Sequence, residues 1–283
     1  MDTLLQETQK KAEGGDAVAL ILLSRWYYRG EQGVSPDREK SFDLARKAAD
    51  KGSPEGQRMT GLKLEYGDGV KKDMVKAFEM YRKAYEGGDA EACYQLATFF
   101  EGAKGMEAHL PTAIAYYEEG ARRGCGSCQY QLAFRYLIGK GVTRDARRAM
   151  DLLEESGRNG VPSAFEVLGR LYLQGRDAPK NADMAFDCFT RALEFFDVDD
   201  AIAIGDCPVY YALCLLTGTG CAADRKLGRE VLQVAAGAEN PIAQQILVER
   251  IVRNPQIQAC FGFDGTEAFR KSGKGDWDIS HLL

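Results

Sequence analysis

Apolar positions along this chain recur at spacings of three and four, and the whole pattern recurs every 36 residues. In residues 161–192, Ala164, Leu168, Gly169 and Tyr172 share one face of a predicted helix. Ala185, Phe189 and Ala192 share one face of a second, after a Gly-marked turn. One step back, Gly169 follows Ala133, Ala97 and Gly61, and Tyr172 follows Tyr136, Phe100 and Leu64. Ala185 follows Ala149, Ala113 and Ala77, while Phe189 follows Leu153, Tyr117 and Tyr81. The turn glycines Gly33, Gly69, Gly105 and Gly141 keep the same step, as do Gly52, Gly88, Gly124 and Gly160 between units. Self-similarity at a fixed period predicts an all-α solenoid, in which each repeat buries its apolar stripe against its neighbours.

The periodicity divides the chain as follows. Residues 1–15 predict an N-terminal capping helix closed by Gly14-Gly15, and 16–252 the repeat array. Repeats one to five cover 16–52, 53–88, 89–124, 125–160 and 161–196, the first being one residue longer than the period. Asp37 is the predicted N-cap of the second helix of repeat one. The rhythm then slips by seven residues within DVDDAIAIGDCP, which reads either as a tolerated loop insertion or as a protruding contact loop. Repeat six covers 207–240, and PIAQQILVERIV (241–252) predicts a final capping helix. Residues 253–283 leave the pattern as an irregular tail. It carries Phe261, Phe263, Phe269, Trp277 and Ile279, aromatic enough either to fold back on the array or to serve as an interaction arm.

Composition narrows the functions. With 37 basic and 42 acidic residues the net charge is −5, which disfavours a nucleic-acid surface built on clustered Lys and Arg. No apolar run reaches the ~18 residues that span a bilayer, so no membrane partner is expected. The start, MDTLLQETQKKAEGGDA, has no basic segment followed by an apolar one, and a cytoplasmic location is expected. Cys207, Cys214 and Cys221 lie seven apart, so neighbours on one helix would sit roughly 10 Å apart along its axis. That is beyond disulfide reach, and the eight cysteines read mainly as small buried thiols, with some disulfide as the alternative.

The unit A-x-x-x-L-G-x-L-Y-x-x-G-x-G-V … A-x-x-x-[FY]-x-x-A resembles the Sel1-like repeat, a relative of the tetratricopeptide repeat. ACYQLATFFEGAKG, CQYQLAFRYLIGKGV and AFEVLGRLYLQG carry the first-helix motif, and AFEMYRKAYEGG and AIAYYEEGARRG the second. The resemblance spans roughly 16–252. It implies a right-handed superhelical α-solenoid of about six helix-turn-helix repeats plus terminal capping helices, serving as a scaffold for partner proteins. The Cys pair found inside each repeat of some bacterial members is missing, so their disulfide framework is not implied.

Catalytic constellations are absent from the sequence. There is no G-x-x-x-x-G-K-[ST], no H-E-x-x-H and no S-x-x-K, and His109 and His281 are the only histidines. No catalytic, cofactor or metal residue is therefore assigned, and no cofactor or small-molecule substrate is expected.

In helix-pair repeats the first helices line the concave face, and the residues interleaving the packed signature positions form its exposed stripe. These are Arg58, Leu62 and Glu65 in repeat two, Tyr94, Thr98 and Glu101 in three, Tyr130, Phe134 and Leu137 in four, and Glu166, Arg170 and Leu173 in five. Repeat one offers Ile21, Arg25 and Tyr28, and repeat six Val209, Leu213 and Leu216. Tyr94, Tyr130, Phe134, Leu137 and Leu173 are expected to form an apolar strip, which reads either as a binding surface or as packing against adjacent helices or the tail. The leading reading is a non-catalytic adaptor that binds a partner protein or peptide in its groove. An immunity-type inhibitor of a bacterial toxin or effector is the alternative, suited by the acidic balance to a basic toxin, and an enzyme is a distant third.

Overall fold

The computed structural model describes residues 2–102, 107–195 and 205–249, together with three two-residue strands beyond them. The helices are α1 (Asp2–Glu13), α2 (Ala17–Arg29), α3 (Arg38–Asp50), α4 (Pro54–Tyr66), α5 (Met74–Glu86), α6 (Ala90–Phe100), α7 (Leu110–Arg122), α8 (Gly126–Ile138), α9 (Ala146–Arg158), α10 (Pro162–Gln174), α11 (Ala182–Glu194), α12 (Cys207–Thr217), α13 (Arg225–Gly237) and α14 (Pro241–Glu249). The chain divides inside α8 into an N-terminal body, Met1–Cys128, and a C-terminal body, Gln129–Leu283. Within each body, consecutive helices pack as helix-turn-helix repeats, the architecture expected from the 36-residue period.

Local chemistry sets the helix boundaries. Asp16, Asp37, Asp73, Asp89, Asp145, Asn181 and Asp224 each accept a backbone N–H three residues on, at 2.8–3.1 Å, so the predicted Asp37 cap is present. His109 fills the same role for α7 through Nδ1. Gly30, Gly67, Gly175 and Gly218 end first helices in the left-handed conformation. The second turn glycine has a different task. A Cβ on Gly69 (φ +70°) would lie 2.0 Å from the Arg38 carbonyl oxygen, and one on Gly220 (φ +72°) would lie 2.0 Å from that of Ala182. In both places the turn of one repeat rests directly on the start of the preceding repeat's second helix.

The core is the periodic set read from the sequence. Ala77, Tyr81, Leu96, Ala97, Ala113 and Tyr117 are fully buried in the N-terminal body, as are Ala149, Leu153, Ala185 and Phe189 in the C-terminal body. Each large apolar side chain so buried stabilises the fold by roughly 1.5–3 kcal/mol. Gly61 and Gly169 admit these rings: a Cβ at either would stand 2.7 Å from Tyr81 Cε1 or 2.6 Å from Phe189 Cε1.

The end of the array differs from expectation. The final helix stops at Glu249 instead of continuing to residue 252, and Ile251–Val252 forms strand β1. With β2 (Arg270–Lys271) and β3 (Trp277–Asp278) it makes an antiparallel sheet of order β1-β3-β2. These β-branched residues pair with an edge formed inside the segment expected to be irregular, which a helical repeat pattern cannot register. The rest of that tail, including Phe261, Phe263, Phe269 and Cys260, lies outside the described residues, as does most of the seven-residue insertion.

Candidate protein-binding face

In the N-terminal body the predicted stripe is largely committed to internal pairing. Arg58 Nε on α4 donates to both carboxylate oxygens of Asp89, at 3.1 and 3.0 Å. Because Asp89 also caps α6, the pair ties one first helix to the next. Arg25 bridges to Glu55 in the same way between α2 and α4. Leu62 is half-buried and packs against the cluster of Leu64, Tyr81, Leu96 and Phe99. The Thr98 hydroxyl donates to the Gln95 carbonyl at 2.7 Å. Glu101 is exposed but accepts from Tyr117 Oη at 3.1 Å, and the equivalent Glu65, only 6% exposed, accepts from Tyr81 Oη at 2.9 Å. Tyr94 is half-buried, its ring 6.3 Å from that of Tyr117, and burial raises its hydroxyl above the usual phenol range. Ile21 is buried, whereas Tyr28 is exposed and carries the Arg38 guanidinium 4.7 Å from its ring.

In the C-terminal body the aromatic pair expected on α8 is present. The Tyr130 and Phe134 rings meet edge to face at 4.9 Å, and both are half-buried. Leu137 is half-buried, and its carbonyl accepts from Arg144 Nε at 3.0 Å. On α10, Glu166 and Arg170 stand 3.5 Å apart with side chains 14% and 25% exposed. Burial pushes the Glu166 carboxyl up to about 7 against the pull of Arg170, with Asp206 adding to the rise. Arg170 also lies 5.6 Å from the Tyr210 ring centre.

Leu173 corrects the expected strip. It is 2% exposed and belongs to the core, as do Val209, Leu213 and Leu216 of repeat six. The third stripe position faces the second helix of its own repeat, so its exposure follows what that helix presents. The exposed apolar residues that the stripe missed include Tyr66, 68% exposed, and Ile138, 66% exposed. Each directly precedes a helix-ending glycine, Gly67 and Gly139, and a large apolar side chain at that point in a polar turn was the available signal.

Among the described residues, the thiols are buried or half-buried. Cys93, Cys125, Cys128, Cys188, Cys207 and Cys214 are buried, and Cys221 is half-buried. Burial raises Cys93 to about 11 and Cys188 to about 12, so both stay protonated near neutrality. Cys125 Sγ accepts the Cys128 backbone N–H at 3.1 Å, acting as a helix cap.

The Sel1 repeat profile matches residues 17–53, 54–89, 90–125, 126–161, 167–194 and 209–236. No curated protein matches the chain. Among solved structures, the chain is similar to a Sel1 repeat protein from Oxalobacter formigenes (TM-score 0.66, 23% identity, 83% of this chain and 99% of that one). It is also similar to c5321, a protective antigen present in uropathogenic Escherichia coli strains (TM-score 0.65, 24% identity, 87% of this chain). The chain spans about half, 52%, of that protein's length. A third similar fold is the immunity protein Pa5087 from Pseudomonas aeruginosa (TM-score 0.53, 20% identity, 68% of this chain and 74% of that one). At these identities the likenesses establish the fold. With its six matched repeats the chain belongs to the Sel1 repeat family, whose repeats generally mediate protein–protein interactions as non-catalytic scaffolds.

Proposed function

We propose that this protein is a non-catalytic scaffold that holds a partner protein on the first-helix face of its repeats, with the C-terminal body supplying the principal anchor. The observation that carries this reading is the Tyr130–Phe134 pair, two half-buried rings beside the Glu166–Arg170 pair. Large rings of this kind bring apolar contact area at low conformational cost, which makes them favoured binding hot spots. The test is capture of partners from source-cell lysate by the wild type and by Tyr130→Ala/Phe134→Ala. A stoichiometric protein lost only from the double variant is expected. Equal recovery by a double variant that remains folded by circular dichroism sinks the assignment.

A narrower version is an immunity-type inhibitor that covers a toxin or effector. It is motivated by the net charge of −5 and by the fold shared with a protein named as an immunity protein. Subnanomolar affinity with steep salt dependence favours the inhibitor, and micromolar peptide binding favours an adaptor.

A further inference from the structure

The Glu166 carboxylate on α10 is mostly buried, yet its charge is poorly compensated. Among the described residues its ion-pair partner is Arg170 of the same helix, at a long 3.5 Å. That guanidinium is shared, since it also leans toward the Tyr210 ring on α12. A second carboxylate, Asp206, stands in the turn before α12 and within electrostatic reach of Glu166. Asp206 accepts from Asn240 Nδ2 at 3.2 Å, a neutral donor. The turn closes directly over the acid: a Cβ on Gly205 would sit 3.4 Å from Glu166 Oε2. Among the described residues, the other titratable groups facing Glu166 are the Tyr130 hydroxyl from α8 and the Cys207 thiol from α12, both protonated near neutrality and both held up by burial first and by Glu166 second. Among the described residues, the Glu166 and Asp206 carboxylates therefore lie within electrostatic reach of each other, with the Arg170 guanidinium paired to Glu166, beside the Tyr130–Phe134 rings. At the same place in the repeat Arg58 is closed off by Asp89, so repeat five departs from that arrangement by leaving a deficit of positive charge.

We infer that this site takes an arginine or lysine side chain of a basic partner protein, its aliphatic stem on the Tyr130–Phe134 rings and its cationic head at Glu166. The inference rests on the reading that the first-helix face binds a protein, and it names the partner's chemistry. Charge complementarity selects a basic occupant, because an acidic or apolar side chain does nothing to offset the repulsion between Glu166 and Asp206. The stem of a long basic side chain also suits an aromatic ledge, where cation–π attraction adds to the contact. Since Glu166 titrates near 7 in the free protein, the arriving cation must displace its proton, and binding is coupled to pH.

The probe is N-acetyl-L-argininamide, which carries one charge on its guanidinium, titrated into the full-length isotope-labelled protein and followed by backbone amide shifts. Saturable shifts centred on residues 130–134, 166–170 and 205–207 are expected at pH 8. The apparent affinity should fall about tenfold at pH 6, as the ionised fraction of a group near 7 falls from roughly nine-tenths to one-tenth. Glu166→Gln, folded by circular dichroism, should lose the binding, and the neutral N-acetyl-L-citrullinamide should not bind the wild type. Overturning results are the absence of saturable shifts, equal binding at pH 6 and 8, equal binding of citrullinamide, or retention in Glu166→Gln. Loss of this inference is separable from loss of the scaffold reading. A captured partner that depends on Tyr130 and Phe134 without any arginine binding refutes only the cation site. Arginine binding together with capture unaffected by the ring substitutions refutes the face as the partner's anchor.

Discussion

Residues 65 and 101 in the N-terminal body and residue 173 in the C-terminal body occupy one position of the repeat, and they solve it in opposite ways. Glu65 and Glu101 each accept a hydrogen bond from a tyrosine sixteen residues on, Tyr81 or Tyr117. Leu173 is buried as a hydrocarbon, and sixteen residues on in its repeat stands Phe189, which has no hydroxyl. A charged or an apolar residue is admissible there, provided the second helix supplies its complement. Exposure at a repeat position is thus a property of the pair and not of the helix face alone.

Mixing the two solutions should do the most damage. Leu173→Glu places a carboxylate against Phe189 with no donor and should cost about 3–5 kcal/mol in denaturant unfolding. Adding Phe189→Tyr should recover part of that loss, and no recovery would deny that the hydroxyl is the complement.

The same contrast applies to one turn glycine in two repeats. Gly69→Ala drives a Cβ into the Arg38 carbonyl and should cost about 3 kcal/mol, from overpacking together with left-handed strain. Gly33 shares the positive φ but meets nothing within 4 Å, so Gly33→Ala should cost about 1 kcal/mol. Equal losses in thermal unfolding would remove the inter-repeat contact as the cause.

A carboxylate lacking its complement is the condition of Glu166. Its folded value, about 7, lies above the ordinary carboxyl value of 4.5, so between those values the folded state binds more protons than the unfolded. Stability from this group is complete below about 4.5 and is lost as pH rises through 7. Glu166→Gln should therefore be neutral at pH 4 and stabilising by about 3 kcal/mol at pH 8 in paired unfolding curves. A pH-independent difference would show that Glu166 carries no such strain.

The smallest effect tests the satisfied pair. Tyr81→Phe deletes one donor to the buried Glu65 and should cost about 1 kcal/mol. Phe189→Tyr by itself should bring no comparable gain, because Leu173 cannot accept.

Much of this was legible from residue order. The 36-residue step, the alanine and aromatic core positions, the Asp37 cap and the turn glycines are local signals, decided by helix periodicity and backbone preference. The Tyr–Glu pairs were legible too, as an offset of sixteen repeated once, but only to a reading that compared the two helices of a repeat. Other features were hidden because they depend on what lies across a contact. Lys63 is buried where repeats one, three and five carry Trp26, Phe99 and Leu171. Its ammonium is accommodated by Ser41 Oγ at 2.8 Å and the Tyr28 ring at 4.7 Å. Nothing in the periodicity of α4 marks it as interior.

The candidate site divides along the same line. Sequence alone determined a helical repeat protein, the placement of its first helices and the Tyr130–Phe134 pair one turn apart, since each follows from spacing along one helix. Tertiary structure decided that Leu173 is core, that Arg58 is closed off by Asp89, and that Glu166 lies mostly buried within electrostatic reach of Asp206. Burial and charge compensation are set by neighbours from other segments, and a one-dimensional pattern does not carry their distances.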